Sequence, residues 1–183
     1  MIILGVIHLK GLPGSPSNKL NLEEITELAQ NDIDNLSKAG VNGIIVENFG
    51  DVPFVKNDVS KRTVASLTSV IQNLNIDSKL KLGVNVLRND GIAALSIAEA
   101  TNADFVRINV LNNVMMFTDQ GIIEGEANKI AEFNKSLNKD IEIFADVFVK
   151  HAVPPEGSKI ENHTEELINR AGADVVIVTG DGT

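Results

Sequence analysis

The chain has 183 residues, of which 43% are hydrophobic and 22% charged, and its formal net charge is −9 at pH 7. The composition is that of an ordinary globular domain, and the negative charge without a basic stripe argues against nucleic-acid or anionic-membrane binding. No apolar run of ~18 residues predicts a membrane span. The absence of cysteine excludes a disulfide framework and a thiolate metal site, which fits a cytoplasmic protein.

Six runs rich in valine and isoleucine predict β-strands. They are Ile3–Ile7, Gly43–Val46, Leu80–Val86, Asp104–Val110, Glu142–Val149 and Asp174–Thr179. Nearly continuous apolar runs are typical of parallel strands that are covered on both faces. No basic segment or cleavage site accompanies the first run, so we interpret it as a strand and not as a signal peptide.

Helical spacing of apolar residues lies between these strands. It predicts five helices, at about residues 22–36, 64–74, 90–101, 122–137 and 162–171. Asn21 and Glu24 form a capping box for the first helix, and Gly40 closes it. Asp90 caps the third helix. Thr118 or Asp119 is expected to cap the fourth helix, where Asp119 and Gln120 can also hold an anion at its N-terminus.

The alternation of strands and helices predicts a parallel α/β sheet with right-handed crossovers. A TIM barrel and an open doubly wound sheet both fit, but no G-x-G-x-x-G follows the first strand, which disfavours a dinucleotide-binding sheet. We therefore predict one (β/α) barrel domain over residues 1–183. A full barrel needs eight units, whereas this sequence contains six. We expect either a barrel without its last two units or a sheet completed in another way.

Polar residues stand at the end of nearly every predicted strand. They are His8, Glu47, Asn85, Asn109, Asp146 and Asp181. Parallel strands bring such ends to one face, and in barrels that face carries the active site. The sequence therefore predicts a site at the carboxyl ends of the strands.

Period-two alternation predicts that Glu47, Arg107 and Asp146 point into the barrel together. A buried arginine must be paired, because an isolated buried charge is very costly. The cluster is then either a structural salt bridge or a functional one. In the functional case one carboxylate serves as a general base or metal ligand, and Arg107 holds an anionic substrate.

Two further pairs of basic residues follow strands. His8 precedes Lys10 and the stiff loop GLPGSP, and Lys150 and His151 follow the fifth strand. His8 can take part in proton transfer or can simply cap its strand. Lys150 and His151 can form an acid/base pair with Asp146 or belong to a solvated loop.

A divalent metal is one candidate cofactor. Glu47, Asp146, Asp181 and a histidine offer oxygen and nitrogen ligands, although no H-E-x-x-H motif and no dense aspartate motif is present. P-loop and G-x-S-x-G motifs are also absent.

Seven segments together resemble the BtpA family (BtpA/SgcQ). They are GVIHLKGLPGSP (5–16), GIIVENFGDVPF (43–54), LGVNVLRND (82–90), ADFVRINV (103–110), TDQGIIEG (118–125), ADVFVKHA (145–152) and ADVVIVTGDGT (173–183). The resemblance implies a TIM barrel of the ribulose-phosphate-binding type in a cytoplasmic or membrane-peripheral protein. It also implies two more strands and helices after this region, where such barrels usually bind phosphate.

Two main functions follow as expectations. The first is an enzyme, with a small phosphorylated or carboxylated substrate, in an oligomer or alone. Its expected catalytic residues are Glu47, Asp146, His8 and His151. Its expected substrate-binding residues are Lys10, Asn48, Asn85, Arg107, Asn109, Lys150 and Asp181. The second is a non-catalytic assembly or stability factor, because the family takes its name from photosystem I biogenesis. An inactive ligand-sensing barrel is a third alternative.

Overall fold

The computed structural model of the chain describes residues 1–180, so the predicted strand-end residue Asp181 lies outside the described residues. The strands are β1 (Leu4–His8), β2 (Gly43–Glu47), β3 (Lys81–Asn85), β4 (Phe105–Ile108), β5 (Val114–Phe117), β6 (Gly121–Glu124), β7 (Glu142–Val147), β8 (Ala152–Val153) and β9 (Val175–Val178). The helices are α1 (Leu22–Lys38), α2 (Lys61–Asn73), α3 (Gly91–Thr101), α4 (Ala127–Ser136) and α5 (Ile160–Asn169).

Six parallel strands form the main sheet, in the order β1-β2-β3-β4-β7-β9. The order follows the chain, as in a barrel, and differs from the reversal that marks a doubly wound sheet. The sheet curls into a half-barrel, with β1 and β9 at its edges and helices packed against it. The predicted α/β fold is therefore confirmed as a partial TIM-barrel-like architecture.

Local sequence signals explain helices α1 and α3. The Asn21 side chain accepts a hydrogen bond from the Glu24 backbone N–H, and the Glu24 side chain accepts one from the Asn21 backbone N–H, so the predicted capping box is confirmed. Gly40, with φ of +80°, follows the end of α1 as a left-handed residue that glycine adopts without steric cost. Asp90 caps α3 through the Ala93 N–H, as predicted.

The predicted start of the fourth helix, near residue 122, was wrong. Residues 114–124 form an antiparallel hairpin, β5 and β6, and α4 begins only at Ala127 with Glu126 at its N-cap. Thr118, Asp119 and Gln120 are the hairpin turn, and they cap no helix. Gly121 follows that turn with φ of +73°, which is typical of three-residue hairpin loops.

A three-stranded antiparallel sheet, in the order β6-β5-β8, lies at the strand-end side and was not predicted. It has a small apolar core of its own. That core contains Val110, Met115, Phe117, Ile123 and Val149. The last helix also starts earlier than predicted, at Ile160 and not near Asn162. Among residues 1–180, no helix has the length and apolarity that crossing a bilayer requires.

Candidate functional site

Strand register aligns four polar side chains at the carboxyl end of the main sheet. His8 pairs with Glu47, Glu47 with Asn85, and Asn85 with Arg107 on successive neighbouring strands. Since residues paired in register on a parallel sheet share a face, these four side chains form one row. The row lies where the sequence predicts a site.

Arg107 joins two buried carboxylates from either side. Its Nε and Nη2 donate to Asp146 at 3.1 and 2.9 Å, and its Nη1 donates to Glu47 Oε1 at 2.9 Å. The predicted grouping of Glu47, Arg107 and Asp146 is therefore confirmed. The bidentate geometry towards Asp146 is the strongest form of this interaction and fixes the plane of the guanidinium.

Burial acts on both partners of this pair. Burial alone would lower the pKa of Arg107, but the hydrogen bonds and charges of Asp146 and Glu47 outweigh it and hold that pKa above its ordinary value. Burial raises the pKa of Asp146, against opposing hydrogen bonds from Arg107 and Asn109. Arg107 therefore remains charged, while Asp146 is less acidic than a free carboxyl group.

Two aromatic residues precede members of the cluster by two positions on their strands, Phe105 before Arg107 on β4 and Phe144 before Asp146 on β7. Their rings stack at a centroid distance of 4.2 Å. Gly83 leaves room for Phe105, because a Cβ at Gly83 would lie 2.3 Å from its ring. The stacked rings therefore provide an apolar surface on the amino-terminal side of Arg107 and Asp146.

Two asparagines extend the cluster. Asn109 donates to Asp146 Oδ2 at 2.8 Å, and Asn85 donates to Asn109 Oδ1 at 3.2 Å and to the Arg107 carbonyl at 2.8 Å. The Asn85 Oδ1 atom is buried and has no hydrogen-bond partner within residues 1–180. A buried polar atom without a partner requires an explanation, and a ligand or water is one.

His8 is the exposed member of the row. Its Nε2 lies 3.5 Å from Glu47 Oε2, and its side chain is 51% exposed while that of Glu47 is 3% exposed. The imidazole stacks on Phe49, at a centroid distance of 4.1 Å and an interplanar angle of 16°. His8 thus presents an oriented ring to the solvent, with a buried carboxylate behind it.

The remaining predicted site residues lie apart from this cluster. Asn48 is buried and exchanges hydrogen bonds with the Leu87 backbone, so it pins the β2–α2 loop to the segment after β3. Lys10 and His151 are exposed, and Lys150 is half-buried. Within the described part of the chain, none of these three side chains makes an ion pair with a carboxylate.

No group of three or more histidine, aspartate or glutamate side chains within residues 1–180 is arranged to hold a metal ion. Glu47 and Asp146, the two predicted carboxylate ligands that the structure describes, both accept hydrogen bonds from Arg107.

Sequence reasoning missed a second cation at the same end of the sheet. Arg88 follows β3 and is buried between two rings, with its Cζ 4.5 Å from the Phe54 centroid and 5.1 Å from that of Phe117. Its segment LRND contains the Asp90 cap and is part of the family resemblance, but neither indicates a role for Arg88. The available signal was an arginine three residues after the end of β3, next to Asn89 and Asp90.

Fold and site together define a partial (β/α) barrel with a buried charge cluster at the strand ends. The sequence model of the BtpA family matches residues 1–183, and the chain belongs to that family. An uncharacterized protein of Pyrococcus horikoshii is 48% identical over 181 residues, covering 99% of this chain and 68% of that protein. The photosystem I biogenesis protein BtpA of Synechocystis sp. is 41% identical, covering 99% of this chain and 63% of that protein.

A eukaryotic relative extends the comparison. An uncharacterized mitochondrial protein of Caenorhabditis elegans is 34% identical over 193 residues, covering all of this chain and 68% of that protein. Relatives from archaea, a cyanobacterium and an animal thus match nearly the whole length of this chain.

Proposed function

We propose that this chain carries the acid–base site of an enzyme that acts on a small phosphorylated or carboxylated metabolite. The observation that carries the proposal is the arrangement of Glu47, whose carboxylate is held by Arg107 on one side and faces the exposed His8 on the other. A general acid or base has to be oriented, charged at the right moment and accessible to the ligand. His8 is oriented by its stacking on Phe49 and is exposed to a ligand, and Glu47 lies behind it.

The two nitrogens of His8 have different roles in this proposal. Because Nε2 faces Glu47 Oε2 at 3.5 Å, the other nitrogen, Nδ1, is the one that can take a proton from a ligand. Glu47 then stabilises the imidazolium, as a carboxylate does behind a catalytic histidine. The stacking of His8 on Phe49 restricts the ring to one plane. A contact of 3.5 Å can tighten when a ligand binds.

Asp146 acts through Arg107 in this proposal. Its bidentate bond holds the guanidinium, which in turn holds Glu47. Since all three described donations of Arg107 go to these carboxylates, Arg107 serves as a positioning residue. Asn85, whose Oδ1 has no hydrogen-bond partner among residues 1–180, is proposed to orient the ligand together with Asn109. Lys10, Lys150 and His151 are proposed to contact the outer part of the ligand.

A dye-based thermal shift tests this proposal against a panel of sugar phosphates, small carboxylates, nucleotides and divalent metals. A ligand at about 100 times its dissociation constant should add roughly 2.7 kcal/mol of stability. Any ligand that stabilises the protein is then assayed for turnover with Glu47→Gln and His8→Gln. The matched control is Glu23→Gln, which changes an exposed carboxylate on α1. Full turnover by both site variants would refute the assignment.

A second function is favoured by the name of one relative, the photosystem I biogenesis protein of Synechocystis sp.. In this alternative the barrel is a binding surface for a partner protein. The exposed Phe49, Val52 and Val55 on the β2–α2 loop are the apolar residues such a partner would cover. Binding of a partner protein in a stoichiometric amount would support this function, provided that Glu47→Gln still binds the partner. The variants Val52→Ser and Val55→Ser should no longer bind it.

A further inference from the structure

Arg88 is a buried cation that forms no ion pair with any carboxylate of residues 1–180. The residue is only 9% exposed, and its Nε is buried without a hydrogen-bond partner within residues 1–180. Among those residues no carboxylate oxygen lies within 4.0 Å of its guanidinium. Arg107, which is half-buried, makes three hydrogen bonds to two carboxylates. Both arginines lie at the same end of the sheet, but among residues 1–180 only Arg107 is paired with carboxylates.

Burying a charge without a counter-charge costs free energy, so the burial of Arg88 requires an explanation. The rings of Phe54 and Phe117 offer cation–π stabilisation, with centroids 4.5 and 5.1 Å from Cζ. They do not supply the acceptors that the N–H groups of a guanidinium require. Burial lowers the pKa of Arg88, and more distant charges, among them Asp119 and Glu47, act against that shift.

The backbone around Arg88 is fixed on both sides. The Arg88 N–H donates to the Val55 carbonyl at 3.1 Å, and the Leu87 N–H donates to Asn48 Oδ1 at 2.7 Å. On the other side, Asn89 exchanges two hydrogen bonds with the Val110 backbone, at 2.8 and 3.0 Å. The guanidinium is therefore carried by a rigid segment, which lowers the entropy cost of binding a ligand there.

Three chain segments surround the guanidinium. The β2–α2 loop supplies Phe54, the β5–β6 hairpin supplies Phe117, and the segment after β3 supplies Arg88 itself. The same hairpin carries Gln120, whose two side-chain polar atoms are buried without a partner within residues 1–180. A cavity of about 110 Å³ lies against Phe54, with Val55 and Leu87 also in its wall.

We propose that Arg88 is the anion-binding residue of the strand-end site, and that it holds the phosphate or carboxylate group of the ligand whose reacting atoms face His8. A planar guanidinium matches both anions through two parallel hydrogen bonds. The ligand class rests on the proposed function, whereas the anion site itself is tested by binding alone. Gln120 is the second donor that this site offers.

The four arginines of the chain make the test direct. Arg62, Arg88, Arg107 and Arg170 give four Nε–Hε signals in a ¹⁵N–¹H spectrum. The Arg88 signal is assigned by its loss in Arg88→Lys, or by elimination with lysine variants at the other three positions. Wild-type protein is titrated with inorganic phosphate, and separately with acetate, at constant ionic strength. A matched titration with chloride shows how much of any signal shift is caused by ionic screening alone.

The expected result is a saturable shift of the Arg88 signal with phosphate, acetate or both, while the exposed Arg62 signal stays in place. The stronger of the two anions identifies the ligand class. Arg88→Lys should weaken that binding roughly tenfold to a hundredfold, the range that corresponds to one charged hydrogen-bond pair. Arg62→Lys should leave it unchanged. An Arg88 signal that moves with neither anion, or only as chloride moves it, would overturn the proposal.

The same experiment separates this inference from the proposed function. Glu47→Gln should keep the Arg88 response to anion while it loses turnover. If anion binds at Arg88 and Glu47→Gln keeps full turnover, the acid–base proposal fails alone. If Glu47→Gln loses turnover and the Arg88 signal does not respond, the anion site fails alone.

Discussion

Removing the charge of Arg107 should be the most damaging single change at the strand ends. Arg107→Met keeps much of the side-chain volume but leaves Glu47 and Asp146 buried without a counter-charge. Three hydrogen bonds of 2.9 to 3.1 Å disappear, and each is worth about 1.5–3 kcal/mol when charged groups are involved. The arginine no longer has to be desolvated, so the net loss is smaller than their sum. We expect about 3–5 kcal/mol, as for other broken buried ion pairs.

Urea unfolding followed by circular dichroism measures this loss at neutral pH. The control is Arg170→Met, which breaks an exposed pair with Glu166 whose N–O distance is 3.9 Å. That change should cost less than about 1 kcal/mol. The variant Arg107→Met/Glu47→Gln/Asp146→Asn should be more stable than Arg107→Met alone, because it carries no unpaired charge. A loss in Arg107→Met no larger than in Arg170→Met would refute the reasoning.

The pH dependence of Arg107→Met follows from the same cluster. Burial raises the pKa of Asp146 above 3.8 in the wild-type protein, and loss of Arg107 raises it further. A carboxyl group whose pKa is higher in the folded state binds protons on folding, so stability falls as the pH rises through that pKa. The difference between variant and wild type should therefore shrink as the pH falls towards 4. A difference independent of pH would show that repacking, not charge, causes the loss.

Three further substitutions test interactions that stabilise the fold around the strand-end site. Gly83→Ala should cost about 1–3 kcal/mol by overpacking, since its Cβ would meet the Phe105 ring at 2.3 Å, and Phe105→Leu should reduce that cost. Asp104→Asn should destabilise at neutral pH, with a difference that begins to shrink below about pH 4 and is lost as the pH falls through the lowered pKa of Asp104, because hydrogen bonds hold that pKa below its ordinary value despite burial. Asn21→Ala should lose about 1 kcal/mol with the capping box.

Each of these three has its own measurement. Chemical unfolding of Gly83→Ala, Phe105→Leu and the double variant gives a coupling energy, and additive effects would rule out the clash. The Asp104→Asn series is measured from pH 3 to pH 7 beside Asp32→Asn, an exposed change on α1. Thermal unfolding of Asn21→Ala is compared with Asn31→Ala, which lies exposed within the same helix.

The charged cluster could be predicted because it depends on two local rules. Strand ends gather at one face, and side chains alternate along a strand, so Glu47, Arg107 and Asp146 had to converge once the strands were known. The capping signals of Asn21 and Asp90 are equally local and located α1 and α3 correctly. None of these predictions required knowledge of the packing between distant segments.

The hairpin and the Arg88 environment could not be predicted in the same way. The pattern from Ile122 to Leu137 has helical spacing, but tertiary pairing of residues 114–117 with residues 121–124 overrides it. The apolar run from Val114 to Phe117, followed by the polar residues before Gly121, was the available signal. Arg88 contacts rings from two distant parts of the chain, Phe54 and Phe117. Its surroundings therefore emerge only from the folded arrangement.

The small antiparallel sheet couples two strand-end loops mechanically. Its strands β5 and β6 come from the connection after β4, and β8 comes from the connection after β7. Met116 and Phe117 pair with Val153 and Ala152, so the two connections cannot open independently. In hydrogen exchange their amides should open with one common free energy, as a single cooperative unit. Access to the strand ends on this side is then an all-or-none event, governed by a hinge at the sheet and not by the flexibility of either loop.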